Sequence, residues 1–131
     1  MLEAPASLRY RRYWLGFGWA ILLIIFYMAL RPLPGAAIVG IWSDKVWHAL
    51  AFGALMLWFS GVYPPRQFGR LFLLLLSYGI LIEVVQAFTP HRQVELADVL
   101  ANISGAAAGW LLAIAGLRHW CRWLESSVIR R

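Results

Sequence analysis

Apolar residues run almost unbroken through four stretches of this chain, separated by short polar or proline-containing segments. The first, residues 13–30, is 18 residues long. As a helix it would reach about 27 Å, close to the ~30 Å of bilayer hydrocarbon. Arg31-Pro-Leu-Pro-Gly ends it, because proline cannot continue a helical ladder and glycine permits the turn. The second predicted span covers residues 44–62 and opens at Ser43-Asp44, a helix-start pair, with Asp44, Lys45 and His48 in its first turns. Tyr63-Pro-Pro-Arg-Gln-Phe-Gly-Arg forms a loop before a third span at residues 71–89, which Pro90 stops. His91, Arg92 and Gln93 connect it to a fourth span at residues 97–117, entered through Asp98 and Asn102. The tail from Arg118 sets Trp120, Trp123 and Leu124 among arginines, the pattern of an interfacial helix. The expected fold is an all-α integral membrane bundle of four transmembrane helices with a basic interfacial C-terminal tail, one membrane domain over residues 1–131.

Composition agrees with that pattern: 62% of the residues are hydrophobic and only 14% charged, well outside the range of soluble domains. The net charge of +6 raises nucleic acid as a partner, but the arginines flank apolar runs and form no recognition patch, so none is expected. Assigning the amino terminus to the cytoplasm puts nine basic residues on that side: Arg9, Arg11, Arg12, Arg66, Arg70, Arg118, Arg122, Arg130 and Arg131. Three, Arg31, Lys45 and Arg92, fall outside. The excess predicts both termini in the cytoplasm. Residues 13–30 are too bulky, and lack the small-residue cleavage site, for a signal peptide, so the segment is read as a retained helix. Cys121 is the single cysteine, which excludes an intrachain disulfide or a CxxC metal or redox motif.

The polar residues inside the spans then stand out. Glu83 and Gln86 interrupt the third span, and a carboxylate at the centre of a spanning helix costs roughly 2.5–3.5 kcal/mol on insertion scales, which makes it a functional candidate. In the assigned orientation Asp44, His48, Glu83, Gln86, Asp98 and Asn102 all lie at the outer end, Glu83 about 9 Å deep and His48 and Asn102 about 6 Å deep. Their i,i+3 and i,i+4 spacings give each helix one polar stripe, so three stripes would line a pocket open to the outer leaflet. Asp-x-x-x-His in the second span and Asp-x-x-x-Asn in the fourth form a faint internal echo. Gly105-Ala-Ala-Ala-Gly109 is a GxxxG pattern that allows close approach of another backbone, a homodimer included.

The order Asp44-Lys45-Val-Trp-His48, Glu83-Val-Val-Gln86, Arg92, and Asp98-Val-Leu-Ala-Asn102-Ile-Ser-Gly105 resembles the VanZ-like family of small bacterial membrane proteins over roughly residues 40–115. The resemblance implies a multi-pass protein of the bacterial inner membrane, in a family whose founding member is linked to low-level resistance to the glycopeptide teicoplanin. It brings no settled reaction. Asp44, Lys45, His48, Glu83, Gln86, Arg92, Asp98 and Asn102 carry over as the site.

Each residue also has a plainer reading. Asp44 and Asp98 suit a helix start, Lys45 and Arg92 suit interfacial anchors, and His48 suits a helix-to-helix hydrogen bond. For Glu83, whose expected partners are Arg92, Lys45 or His48, a merely fastening role is the less economical explanation. Four mechanisms fit the set. Lys45, Arg92 and His48 would bind an anionic lipid or lipid-linked cell-wall intermediate, oriented by the acids and amides. An enzyme on such a headgroup would use Glu83 or His48 as general base. Asp44, His48, Glu83 and Asp98 are acceptable metal ligands, but no HExxH-like motif accompanies them, and neither metal nor cofactor is expected. A structural network or a subunit of a larger envelope assembly is the fourth. The lipid-binding pocket is the favoured reading, and the residues leave open whether anything is turned over. Ser104 sits in a context similar to the serine motif of rhomboid-type proteases, but its leading glycine and a histidine in a following helix core are missing.

Overall fold

The computed structural model describes residues 8–31, 41–90 and 94–129. It is all-helical, with no strand among the described residues. Four helices are long and apolar enough to cross a membrane: α1 (Arg11–Leu30), α2 (Ile41–Val62), α3 (Phe68–Ala87) and α4 (Leu96–Ile114). A fifth, amphipathic helix, α5 (Trp120–Ile129), follows a 3-10 turn at Leu117–His119.

The helix ends follow local chemistry. Ser43 does not start α2, which already begins at Ile41 and holds Asp44 in its first turn. Pro64 and Pro65 force a 3-10 turn, Pro65–Gln67, that runs directly into α3. That helix stops at Ala87, and the Thr89 hydroxyl donates to the Gln86 carbonyl, supplying one of the acceptors a helix C-terminus leaves over. In α4 the fourth span ends earlier than residue 117, because Gly116 takes φ +130°, a conformation that side chains rarely adopt.

At the centre, α2 lays Phe52, Leu55, Met56 and Phe59 against Phe68, Leu71, Leu75 and Ile82 of α3 and the small residues Ala106 and Ala113 of α4. The α2–α4 contact is the closest. A Cβ at Gly105 would fall on the Ala49 carbonyl, and one at Gly109 would come within 2.6 Å of the Gly53 carbonyl. The small-residue face considered for a homodimer is thus covered by α2 of the same chain.

Helix α1 lies at the side of this core and buries fully only Gly18. It also packs Ile21, Leu22, Ile25, Phe26 and Ala29 against the core, and two hydrogen bonds fix it there: the Tyr78 hydroxyl donates to the Leu22 carbonyl at 2.5 Å, and the Gln86 amide to the Ala29 carbonyl at 2.8 Å. Phe17, Leu23, Ile24 and Met28 on α1, like Leu73, Leu74, Ile80 and Leu81 on α3, face outward. An apolar outer surface of that extent requires lipid rather than water around it.

Candidate functional site

The glycine contact between α2 and α4 also assembles the polar site. On α4 the buried stripe reads Asp98, Asn102, Gly105, Ala106, Gly109 and Ala113, polar at the amino end and small thereafter. Because the small part brings the two backbones together, short side chains one turn above it meet across the gap. His48 Nδ1 lies 3.0 Å from Asn102 Oδ1, and Lys45 Nζ donates to Asp98 Oδ1 at 3.0 Å. Lys45 also reaches Glu95 Oε2 at 2.7 Å, just before α4 begins. Asp44, partly exposed, places Oδ2 3.9 Å from His48 Nε2.

Glu83 enters from α3 with 3% of its surface exposed. Neither carboxylate oxygen has a hydrogen-bond partner among the described residues, and neither does Asn102 Nδ2. The backbone N–H of Glu95 approaches Glu83 without reaching hydrogen-bond geometry, while Asp98, His48 and Asp44 all act on it electrostatically. Buried polar groups are nearly always paired, so these atoms make this part of the bundle the candidate site.

Two of the three partners the sequence suggests for Glu83 make their hydrogen bonds elsewhere. Lys45 is held by two other carboxylates, and His48 is bonded to Asn102. Arg92 lies outside the described residues, as do His91 and Gln93. Asp44, Lys45, His48, Glu83, Asp98 and Asn102 come together, whereas Gln86 turns its amide nitrogen to α1 and ties the helices there. Glu95 was not anticipated as a member; its position beside the start of α4 was the available signal. Ser104 is exposed and its hydroxyl donates to the Leu100 carbonyl of its own helix, away from the cluster.

The opposite end holds a second buried acid that the sequence pattern hid. Glu125 of α5 accepts from the backbone N–H groups of Arg9 and Tyr10, each at 3.0 Å, and from the Trp14 indole at 2.8 Å. Burial works against the charged carboxylate, but these donors and the Arg9 charge outweigh it and hold the group below its ordinary range. Trp14, Trp58 and Trp120 pack edge-on or tilted beside it, with centroids 4.8–6.0 Å apart. The Cys121 thiol is pushed up to about 12, first by burial and then by the Glu125 charge, and a thiol so rarely ionised is a poor nucleophile.

Comparison with protein families finds that the model for the family described as VanZ/LLP1 matches residues 11–119, which takes in α1 through α4 and the whole polar cluster. No curated protein and no solved structure matches the chain.

Proposed function

The chain belongs to the VanZ/LLP1 family, and from that premise we propose that this multi-pass membrane protein recognises the headgroup of a lipid or lipid-linked cell-wall intermediate in the bacterial inner membrane. Four apolar helices and family membership support the membrane setting. The observation that carries the headgroup reading is the pair at the Asp44 end of the bundle that has no partner among the described residues: a buried carboxylate with two acceptor oxygens, and a buried amide donor on Asn102. Such groups are costly to leave unpaired, at about 1–3 kcal/mol each, and a ligand that pairs them recovers that cost on binding.

The chemistry of the orphans selects the headgroup. Carboxylate oxygens accept and an amide nitrogen donates, which suits hydroxyl, amide or amino groups next to a carbonyl, as in a sugar or peptide headgroup. Lys45 shares its charge between Glu95 and Asp98, so direct phosphate binding is not its principal role in this reading. The positive-inside count supports a pocket on the outer leaflet. A change in glycopeptide susceptibility, teicoplanin included, would be the cellular consequence of holding a cell-wall intermediate there.

Native mass spectrometry of the protein extracted from its own membrane tests this, with wild type beside Glu83→Gln and Asn102→Ala. A defined adduct on wild type, at least about tenfold depleted on both variants, is the expected result. The same mixed lipids on all three, with a lower melting temperature for Glu83→Gln, would make Glu83 a packing determinant and overturn the proposal.

A further inference from the structure

Around the Asp44 end, the described residues gather four carboxylates, Asp44, Glu83, Glu95 and Asp98, of which Glu95 and Asp98 share the Lys45 ammonium. Glu83 and Asp98 are the buried pair, and buried charge without compensation is expensive, so a cation beside them would be stabilising. Three of the residues offer more than charge. Asp44, His48 and Asp98 each present one ligand atom, and those atoms all lie within 4.8 Å of one another. Ligands on one tetrahedral ion at about 2.0–2.2 Å stand about 3.3–3.6 Å apart, so closure on an ion takes a contraction of about 1 Å at the widest pair.

The histidine is oriented for this. His48 Nδ1 lies against Asn102 Oδ1, which turns Nε2 toward Asp44 Oδ2, 3.9 Å away. An ion between Nε2 and Asp44 Oδ2 would bridge that separation. An imidazole whose other nitrogen donates to an oxygen is the usual arrangement of a metal-bound histidine. Asp98 is positioned in the same way, since Lys45 occupies Oδ1 and Oδ2 has no hydrogen bond among the described residues. Independently of these three, the buried and unpartnered Glu83 carboxylate interacts electrostatically with every one of them.

We propose that Asp44, His48 and Asp98 bind a divalent first-row transition ion, with Glu83 as the buried carboxylate behind them. An imidazole among carboxylates favours Mn²⁺ or Zn²⁺ over Ca²⁺ and Mg²⁺, which take all-oxygen sites. Asp44, the exposed member, faces the entry path. The inference stands without the headgroup reading, because ion binding is measurable in lipid-stripped protein.

The test uses the full chain in detergent, stripped with EDTA and titrated with Mn²⁺ alone, followed by electron paramagnetic resonance. The expected result is one saturable ion per chain, ¹⁴N coupling from an imidazole, and displacement by Zn²⁺ but not by equimolar Mg²⁺. Asp44→Asn and His48→Gln each weaken binding about 10–100-fold, and His48→Gln abolishes the ¹⁴N coupling. Asp44 is exposed enough for its variant to keep the fold, which circular dichroism checks. Absence of saturable binding, or an affinity that both variants leave unchanged, overturns the inference. Lipid adducts that survive EDTA alongside such a failure would leave the headgroup reading standing, and the reverse pattern would leave only the ion site.

Discussion

Two buried glutamates show how position determines what a carboxylate does. Glu125 has three donors converging on it, and its role is to hold the amino end of α1 to α5. Glu83 has none among the described residues. Removing the Glu125 charge by Glu125→Gln leaves donors poorly matched and is expected to cost about 1–3 kcal/mol, read as a lower melting temperature in detergent. The pH dependence has a definite sign. A carboxyl held below its ordinary value of 4.5 contributes stability above that pH, and the contribution is lost as pH falls through the folded value. Wild type should therefore lose stability below about pH 4.5 more steeply than Glu125→Gln, whose amide does not titrate there. In sequence, Glu83 is conspicuous as an acid within an apolar run, whereas Glu125 looks like one more charge in a polar tail. Only the approach of residues more than a hundred positions away reveals it.

At the scale of helices, one contact governs both packing and site. The α2–α4 crossing places the Gly105 backbone against Ala49 with no room for a methyl group. Gly105→Ala must push the helices apart, an overpacking change expected to cost about 1–3 kcal/mol, and it should also separate His48 from Asn102 one turn away. Thermal unfolding in detergent checks the first effect, and loss of Mn²⁺ affinity the second. Gly16→Ala is the control, because nothing lies within 4 Å of the added carbon and the melting temperature should hold or rise slightly. The GxxxG pattern was legible as a place of close approach. That the partner is α2 of the same chain was not, since small residues admit a neighbouring backbone without specifying which one.

For the whole molecule, orientation is the property most open to direct measurement. The positive-inside count assigns Arg66 to the cytoplasm and Val94 to the exterior, and both are exposed. In a Cys121→Ala background, a membrane-impermeant maleimide added to intact cells should label Val94→Cys and spare Arg66→Cys; the opposite pattern would invert the protein and move the polar cluster to the cytoplasmic leaflet. Wild-type Cys121, fully buried and with its thiol pushed up to about 12, should stay unlabelled from either side until the protein unfolds.

The sequence alone determined the helical class, the four apolar spans and the gathering of Asp44, His48, Glu83, Asp98 and Asn102 at one end. Those properties are local. Backbone groups in hydrocarbon must be satisfied within the segment, and a fixed rise per residue converts chain position into depth. Tertiary structure alone decided the partners: Lys45 with Glu95 and Asp98, His48 with Asn102, Gln86 with α1, Glu125 with the start of α1. Which side chains touch depends on how each helix is rotated and how closely it approaches its neighbour, and shape complementarity between distant segments sets both. The same packing leaves Glu83 without a hydrogen-bond partner among the described residues.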